Sequence, residues 1–351
     1  MVSELRVTIG WDVGGVQVKA ARVESCGGVT RRVQTAARPF EVWRRRERLP
    51  EVLRDVAREL GVRSTMPLAL TMTAELSDAF RSKREGVLFV MDAAHETFPE
   101  NRICVLDSRG DFVALDLART RPLDFAATNW VASSLFAASR VDACILVDVG
   151  STTTDIVPVR AGGLACEGRT DLARLSAGEL VYTGVLRTNP NTLTASVPVR
   201  GRPCRVAAEH FAIMADAYVL LGRLRAEDYT CSTPDGRDTS PQACAERLAR
   251  LVCGDCELLR HEEIVNVARY LVERQLQVVS EGLLQVLSLW TPGPEPPLAP
   301  AGAGAFLAAE VADRLGLAVL PEGSIWGEEG AMLPAAAGAH LLAAILEAER
   351  G

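Results

Sequence analysis

The 351-residue chain has no run of about 20 apolar residues, so no membrane-spanning helix is expected. No long apolar stretch precedes Asp12, and a secretory leader is not expected either. There is no excess of positive charge. The formal net charge of -7 gives no electrostatic reason to expect nucleic acid or an anionic membrane as a partner. Arg44, Arg45, Arg46 and Arg48 form a short basic run, read as a solvated loop before an anion-binding patch. Histidines are few, and His95, His210 and His340 have no partner at metal-ligand spacing. Cys253-Gly254-Asp255-Cys256 with His261 offers three zinc ligands where four are needed, so buried thiols are the expectation there. No Gly-x-Ser-x-Gly elbow is present, which argues against a typical serine hydrolase. The nine cysteines are odd in number and scattered, the usage of reduced core thiols in a cytoplasmic protein.

The length suggests about two domains of roughly 100–200 residues each. Leu5 to Gly10 reads as a short buried strand running into Asp12-Val13-Gly14-Gly15. Alternation over Val16 to Val23 predicts a half-buried strand, Cys26-Gly27-Gly28 a turn, and Val29 to Thr35 the next strand. Leu49, Val52, Leu53, Val56, Ala57 and Leu60 line one helical face that Gly61 closes. Leu68 to Thr73 is a further strand, and Phe125 to Ser139 an Ala-rich helix. The opening pattern then returns. A strand over Cys144 to Val147 ends in Asp148-Val149-Gly150-Ser151-Thr152-Thr153-Thr154-Asp155, and a strand and an Ala161-Gly162-Gly163 turn follow. The two leading aspartates lie 136 positions apart (148 minus 12), about one domain, which points to an internal duplication. Helices are expected over 206–224, 241–252 and 262–289, a linker over Thr291 to Pro300, and a final helix over Ala335 to Arg350.

Each of the two loops leaves a strand through a carboxylate and turns on glycine. Gly14, Gly15 and Gly150 let backbone amides approach an anion, and consecutive amides form a concave anion site. Ser151, Thr152 and Thr153 add hydroxyl donors. Asp12, Asp148 and Asp155 would repel phosphate directly, but fit a magnesium ion that bridges to phosphate oxygens through water. Gly302 and Gly304 offer a third turn, under an adenine ring or another flat group.

These residues resemble the superfamily of sugar kinases, actin and chaperone ATPases, and within it the hydantoinase/oxoprolinase-related group. Gly10 to Gly15, Thr71 to Asp78, Gly178 to Thr188, Ala208 to Phe211 and Asp228-Tyr229 through Arg237 are similar to the tetrahydromethanopterin-linked one-carbon transfer pathway proteins. Archaeal members of that family are synthases that join a furan-methanamine unit to gamma-glutamyltyramine during methanofuran assembly. The likeness runs in order along nearly the whole chain. It departs at Ala74, where the family pattern has glycine, and at Val16-Gln17, although Lys19 is retained.

The resemblance implies an α/β, actin-like (ribonuclease H-like) duplicated two-lobed ATPase fold. It places an N-terminal lobe with the first phosphate loop at 1–140, and a C-terminal lobe with the second loop and a helical insertion near 200–290 at 141–351. It implies that an aminomethyl-furan-methyl diphosphate meets a tyramine- or tyrosine-type phenol, an aryl ether forms and diphosphate leaves. Asp12, Asp148 and Asp155 would then be metal-associated, and Gly14, Gly15, Gly150, Ser151, Thr152 and Thr153 would hold phosphate. Lys19, Arg81 and Lys83 are candidate cations. Glu75 and Asp78, just after a strand, are candidate bases. Magnesium is the expected cofactor. ATP, on Gly302 and Gly304, belongs to the alternatives: a small-molecule kinase, an oxoprolinase-like amidohydrolase, or a nucleotide-binding protein without chemistry. A homodimer is left open.

Overall fold

A computed structural model describes residues 5–26, 29–290, 293–321, 323–325 and 333–349. Gly27 and Gly28 of the first expected turn, and Thr291 at the start of the expected linker, lie outside them. The chain divides into two compact units. The first comprises 1–144, 157–173 and 321–351, the second 145–156 and 174–320. The first unit thus gathers three stretches of chain, where the sequence reading had one continuous lobe at 1–140.

The first unit is built on a sheet of six strands, β1 (Arg6–Val13), β2 (Gln17–Cys26), β3 (Val29–Pro39), β4 (Leu68–Met72), β5 (Ile103–Leu106) and β6 (Phe112–Ala114). Their order is β3-β2-β1-β4-β5-β6. β1, β2 and β3 form an antiparallel meander, and β4 and β5 run parallel to β1. β1 and β4 are central and buried along almost their whole length, as near-continuous apolar strands must be. The helix Leu49–Glu59 buries Leu49, Leu53, Val56 and Ala57. It ends at Gly61, whose φ of +60° explains the glycine.

The final helix, Leu333–Ala348, packs against β1 and the helix Asn129–Ala138. It crosses Gly10 so closely that an added Cβ would sit 1.8 Å from the Ala335 carbonyl oxygen. This contact corrects the boundary drawn from the sequence, because the last residues complete the N-terminal unit. Hydrophobic patterning marks a buried helix but does not say which sheet it covers.

A second sheet is formed by β7 (Ala143–Val149), β8 (Thr154–Arg160), β9 (Gly163–Leu164), β10 (Leu180–Val181) and β13 (Leu298–Ala301), in the order β10-β8-β7-β13 with β9 on β8. β11 (Ser196–Val199) and β12 (Arg202–Arg205) form a separate hairpin. The chain passes from one unit to the other within β7 and again within β8. β13 runs parallel to β7, as β4 does to β1, and this repeats the core of the first sheet. The segment expected as a linker thus ends in a strand with Leu298, Ala299 and Ala301 buried. Pro300 is tolerated because β13 borders only one strand of that sheet.

A long helical insertion separates β10 from β13. Its helices are Met214–Leu220, Pro241–Arg250 and His261–Ser288. The first is shorter than the 206–224 expected, because Ala207 is drawn into a backbone hydrogen bond with Leu251 instead. Asp216 and Arg247 are fully buried at the centre of this region. Arg247 donates to Asp216 Oδ1 at 2.8 Å, to Asp235 Oδ1 at 3.1 Å and to the Asp238 carbonyl at 3.1 Å. Tyr229 donates to Asp216 Oδ1 at 3.1 Å, and the Ile213 amide to Oδ2 at 2.9 Å. Tyr229 and Asp235, from one of the stretches that carried the family resemblance, therefore serve a buried polar core.

Candidate functional site

The first loop joins β1 to β2. The Gly14 amide donates to the Gln17 carbonyl at 3.0 Å, and a Cβ on Gly14 would lie 2.9 Å from that same oxygen. The carbonyls of Gly15 and Val16 are taken by the amides of Val42 and Phe40, at 3.1 and 2.9 Å. With their oxygens tied back into the protein, the amides of Gly15 and Val16 donate to no described residue.

The second loop repeats this arrangement. The Gly150 amide donates to the Thr153 carbonyl at 2.8 Å. The Gly150 and Ser151 carbonyls accept from Val185 at 2.9 Å and from Leu186 and Arg187 at 3.1 and 2.9 Å. The amides of Ser151 and Thr152 donate to no described residue. Gly14 and Gln17 thus match Gly150 and Thr153 in the bond that closes each loop, whereas the carbonyls tied back are those of Gly15 and Val16 in the first loop and of Gly150 and Ser151 in the second. Adjacent amides without a protein partner, two in each loop, are the donors that an anion-binding concavity uses. The amides of Gly14 and Gly150 are used internally, so these two glycines shape the loops and their neighbours present the donors.

Asp12 is 5% exposed, and its Oδ1 has no hydrogen-bond partner. It stands opposite Lys19 in the β1–β2 register, where cross-strand side chains share a face. Burial pushes its carboxyl above the usual range, and the Lys19 charge pulls it back. Thr71 on β4 fixes the strand end by donating to the Trp11 carbonyl at 3.0 Å. Trp11 itself is buried against Phe98, ring centroids 5.2 Å apart, and is a core residue.

Glu75 lies in a 3-10 turn, Ala74–Leu76, just after β4. It is 1% exposed, and neither carboxyl oxygen makes a normal hydrogen bond. Burial pushes this carboxyl up to about 7, against the pull of the Glu75 and Ala127 amides and of Lys83. Asp78 and Arg81 are exposed, and the Arg81 amide donates to Glu85 at 2.9 Å. Lys83 is ion-paired with Asp171, so its charge is already shared before any phosphate arrives. The basic run is engaged in the same way. Arg44, Arg46 and Arg48 pair with Glu41, Glu85 and Glu51.

In the second unit Asp148 is half-buried, and a Cβ on Gly302 would fall 2.2 Å from its Oδ1. Gly302 has φ +78°, and the Gly304 amide donates to the Val149 carbonyl at 2.8 Å. Close packing on β7 accounts for both glycines without a flat ligand. Asp155 accepts from the buried Arg174 at 2.8 Å through Oδ1, and Arg174 also donates to the Glu179 carbonyl. That ion pair occupies one of the oxygens expected to face a metal. Thr154 donates to the Thr183 carbonyl at 2.7 Å, which leaves Ser151, Thr152 and Thr153 as the half-buried hydroxyls of the loop.

Sequence reasoning missed Gly184. A Cβ there would lie 2.5 Å from the Thr152 nitrogen and 2.6 Å from the Gly150 oxygen, so only glycine lets this segment underlie the loop. Thr188 holds Gly184 by bonding both its amide and its carbonyl, at 2.8 and 2.9 Å, and Gln275 adds a bond to that carbonyl at 2.8 Å. The signal was the stretch Gly178 to Thr188, but only the fold shows that it touches the loop.

Among the described residues no three His, Cys, Asp or Glu side chains gather as a metal cage, at Cys253, Cys256 and His261 or elsewhere. Nor is any helix there long and apolar enough to cross a membrane. The chain is similar to acetone carboxylase in a nucleotide-free structure, with a TM-score of 0.59 and 9% identity over 96% of this chain and 70% of that one. Its two units share the actin-like fold. It is 34% identical over 276 residues, 78% of this chain and 80% of the relative, to the (4-{4-[2-(gamma-L-glutamylamino)ethyl]phenoxymethyl}furan-2-yl)methanamine synthase of Methanocaldococcus jannaschii. A synthase of the same name from Methanococcus vannielii is 35% identical over 143 residues, 41% of this chain and 64% of that one. The hydantoinase/oxoprolinase family model matches residues 68–331, and the chain belongs to that family.

Proposed function

We propose that this chain is a transferase that joins an aminomethyl-furan-methyl diphosphate to the phenol oxygen of a tyramine- or tyrosine-type compound, releasing diphosphate. The observation that carries this reading is the similarity to the Methanocaldococcus jannaschii synthase over most of both chains. The loop geometry supports it, since paired free amides suit a phosphate chain and the substrate itself would bring one.

The amides of Gly15 and Val16, and those of Ser151 and Thr152 with their hydroxyls and that of Thr153, bind phosphate oxygens. Asp12 in the first unit, and Asp148 in the second, would each offer a carboxylate to magnesium. The orphaned, buried Oδ1 of Asp12 is the kind of atom a hydrated cation satisfies. A magnesium ion in such a site is held by one or two carboxylates, water and phosphate. When bound, magnesium neutralises charge on the leaving diphosphate. Lys19 balances the Asp12 carboxylate, and Asp155 is held by Arg174. Glu75 takes the phenol proton. The phenol oxygen forms the new bond to the furfuryl carbon, and the old carbon–oxygen bond breaks with its electron pair going to diphosphate. A phenol has an ordinary pKa near ~10, so a base that is half-ionised near neutrality helps it react.

Thermal unfolding with magnesium pyrophosphate or magnesium ATP tests the ligand. A ligand at 100 times its Kd adds about 2.7 kcal/mol of stability. Pyrophosphate is expected to raise the Tm and ATP to leave it within a degree. A rise with ATP alone would favour an ATP-using kinase or amidohydrolase.

A further inference from the structure

Lys83 and Asp171 are 88 positions apart in sequence, yet they form an ion pair inside the first unit. Their side chains are 31% and 18% exposed, so solvent screens the pair only in part. Lys83 opens the helix Lys83–Thr97, and Gly86 follows it at i+3, on the same helical face. Gly86 presses on the backbone of Glu75, where a Cβ would come within 2.6 Å of its Cα and of its carbonyl oxygen. The face that bears Lys83 is therefore the face packed on Glu75.

The other charged groups nearby have other partners. Glu85 accepts from Arg46 and from the Arg81 amide, Asp92 pairs with Arg119, and Asp124 pairs with Arg121. Arg84, Asp78 and Arg81 are exposed to solvent. Lys83 and Asp171 remain as the charges that act on the buried carboxyl, Lys83 favouring its ionised form and Asp171 opposing it.

We infer that Lys83 and Asp171 act as one device on Glu75: Asp171 anchors Lys83 and offsets part of its charge, which keeps Glu75 able to take up a proton. A free lysine beside the carboxyl would favour its ionised form, and a missing lysine its neutral form. The pair sets the carboxyl between these limits. Asp171 is thus a positioning residue. The inference rests on the reading of Glu75 as the base, and extends it.

The direction of each change follows from the charges. Removing Asp171 takes away an anion that raises the Glu75 pKa and frees the lysine that lowers it, so the pKa falls. Removing Lys83 takes away the cation and leaves Asp171 uncompensated, so the pKa rises. A pair that merely holds the fold together would respond alike to loss of either partner.

The experiment is a pH titration of the carboxyl carbons of isotope-labelled glutamate by NMR, with the Glu75 signal assigned by its loss in Glu75→Gln. In the unaltered protein Glu75 is expected to titrate near 7. Asp171→Asn should move the midpoint down and Lys83→Gln should move it up, each by about half a unit or more, and Lys83→Arg should stay close to the starting value. Midpoints that do not move, or that move in the same direction in Asp171→Asn and Lys83→Gln, overturn the inference. Turnover of Glu75→Gln separates this result from the base assignment. Near-unaltered turnover removes the base and, with it, the catalytic part of the inference. Lost turnover with unmoved midpoints removes the tuning alone.

Discussion

Asp12→Asn is expected to lower turnover by on the order of 10³-fold, the size of effect seen when one fixed group that stabilises developing charge is removed. Stability should hold or rise slightly. The ionised carboxylate is 5% exposed and has an oxygen without a partner, so in the absence of ligand the Lys19 charge offsets only part of the cost of keeping it charged. An amide of the same shape removes the charge and the affinity for magnesium, and leaves the Gly14–Gln17 turn in place. The check is turnover together with a melting curve on the same sample. Near-unaltered turnover would remove Asp12 from the metal site. A large fall in Tm would mean that the carboxylate serves the fold.

Arg247→Met is expected to do the opposite, costing stability of about 3 kcal/mol and sparing the loop chemistry. Met matches the length of the arginine stem but leaves Asp216, fully buried, without its main partner. Breaking a buried pair from one side typically costs about 3–5 kcal/mol. At about 2–4 °C per kcal/mol for a unit of this size, the Tm should fall by roughly 6–12 °C. The loss should also depend on pH. Burial already raises the Asp216 pKa, and removing Arg247 raises it further. The folded variant then binds a proton that the unfolded chain, with an aspartate pKa near ~3.9, has released, so stability falls as pH rises above that value. The variant should therefore be closer to the unaltered protein at pH 5 than at pH 8. Replacing Asp216 by Leu in the same chain should restore part of the loss, because it removes the buried charge but leaves the Tyr229 hydroxyl and the Ile213 amide without their acceptor. Urea midpoints of the two variants at both pH values would show this.

The paired loops were legible because backbone chemistry leaves a local signature: a carboxylate at a strand end, then glycine, then a second strand. The structure keeps that spacing and adds the internal turn from Gly14 to Gln17 and from Gly150 to Thr153. Trp11 lies in that first apolar strand and is buried. What was not legible came from distant parts of the chain. Asp171 meets Lys83, Arg174 meets Asp155, and Gly184 underlies Gly150, each through the fold and not through spacing. The same holds for the helix Leu333–Ala348, whose apolar composition was plain but whose seat on β1 depends on Gly10. Gly302 and Gly304 looked like a ligand turn because glycine serves close approach of any kind, and here the Asp148 carboxylate and Val149 approach them.

The central claim is that the phosphate chain held by these loops is the substrate's own leaving group. The direct measurement incubates the protein with an aminomethyl-furan-methyl diphosphate, a tyramine-type phenol and magnesium, without nucleotide, and follows pyrophosphate and aryl ether together. The account predicts that both appear in equal amounts and that added ATP changes neither rate. No ether without ATP, or ATP consumed in step with product, would contradict it.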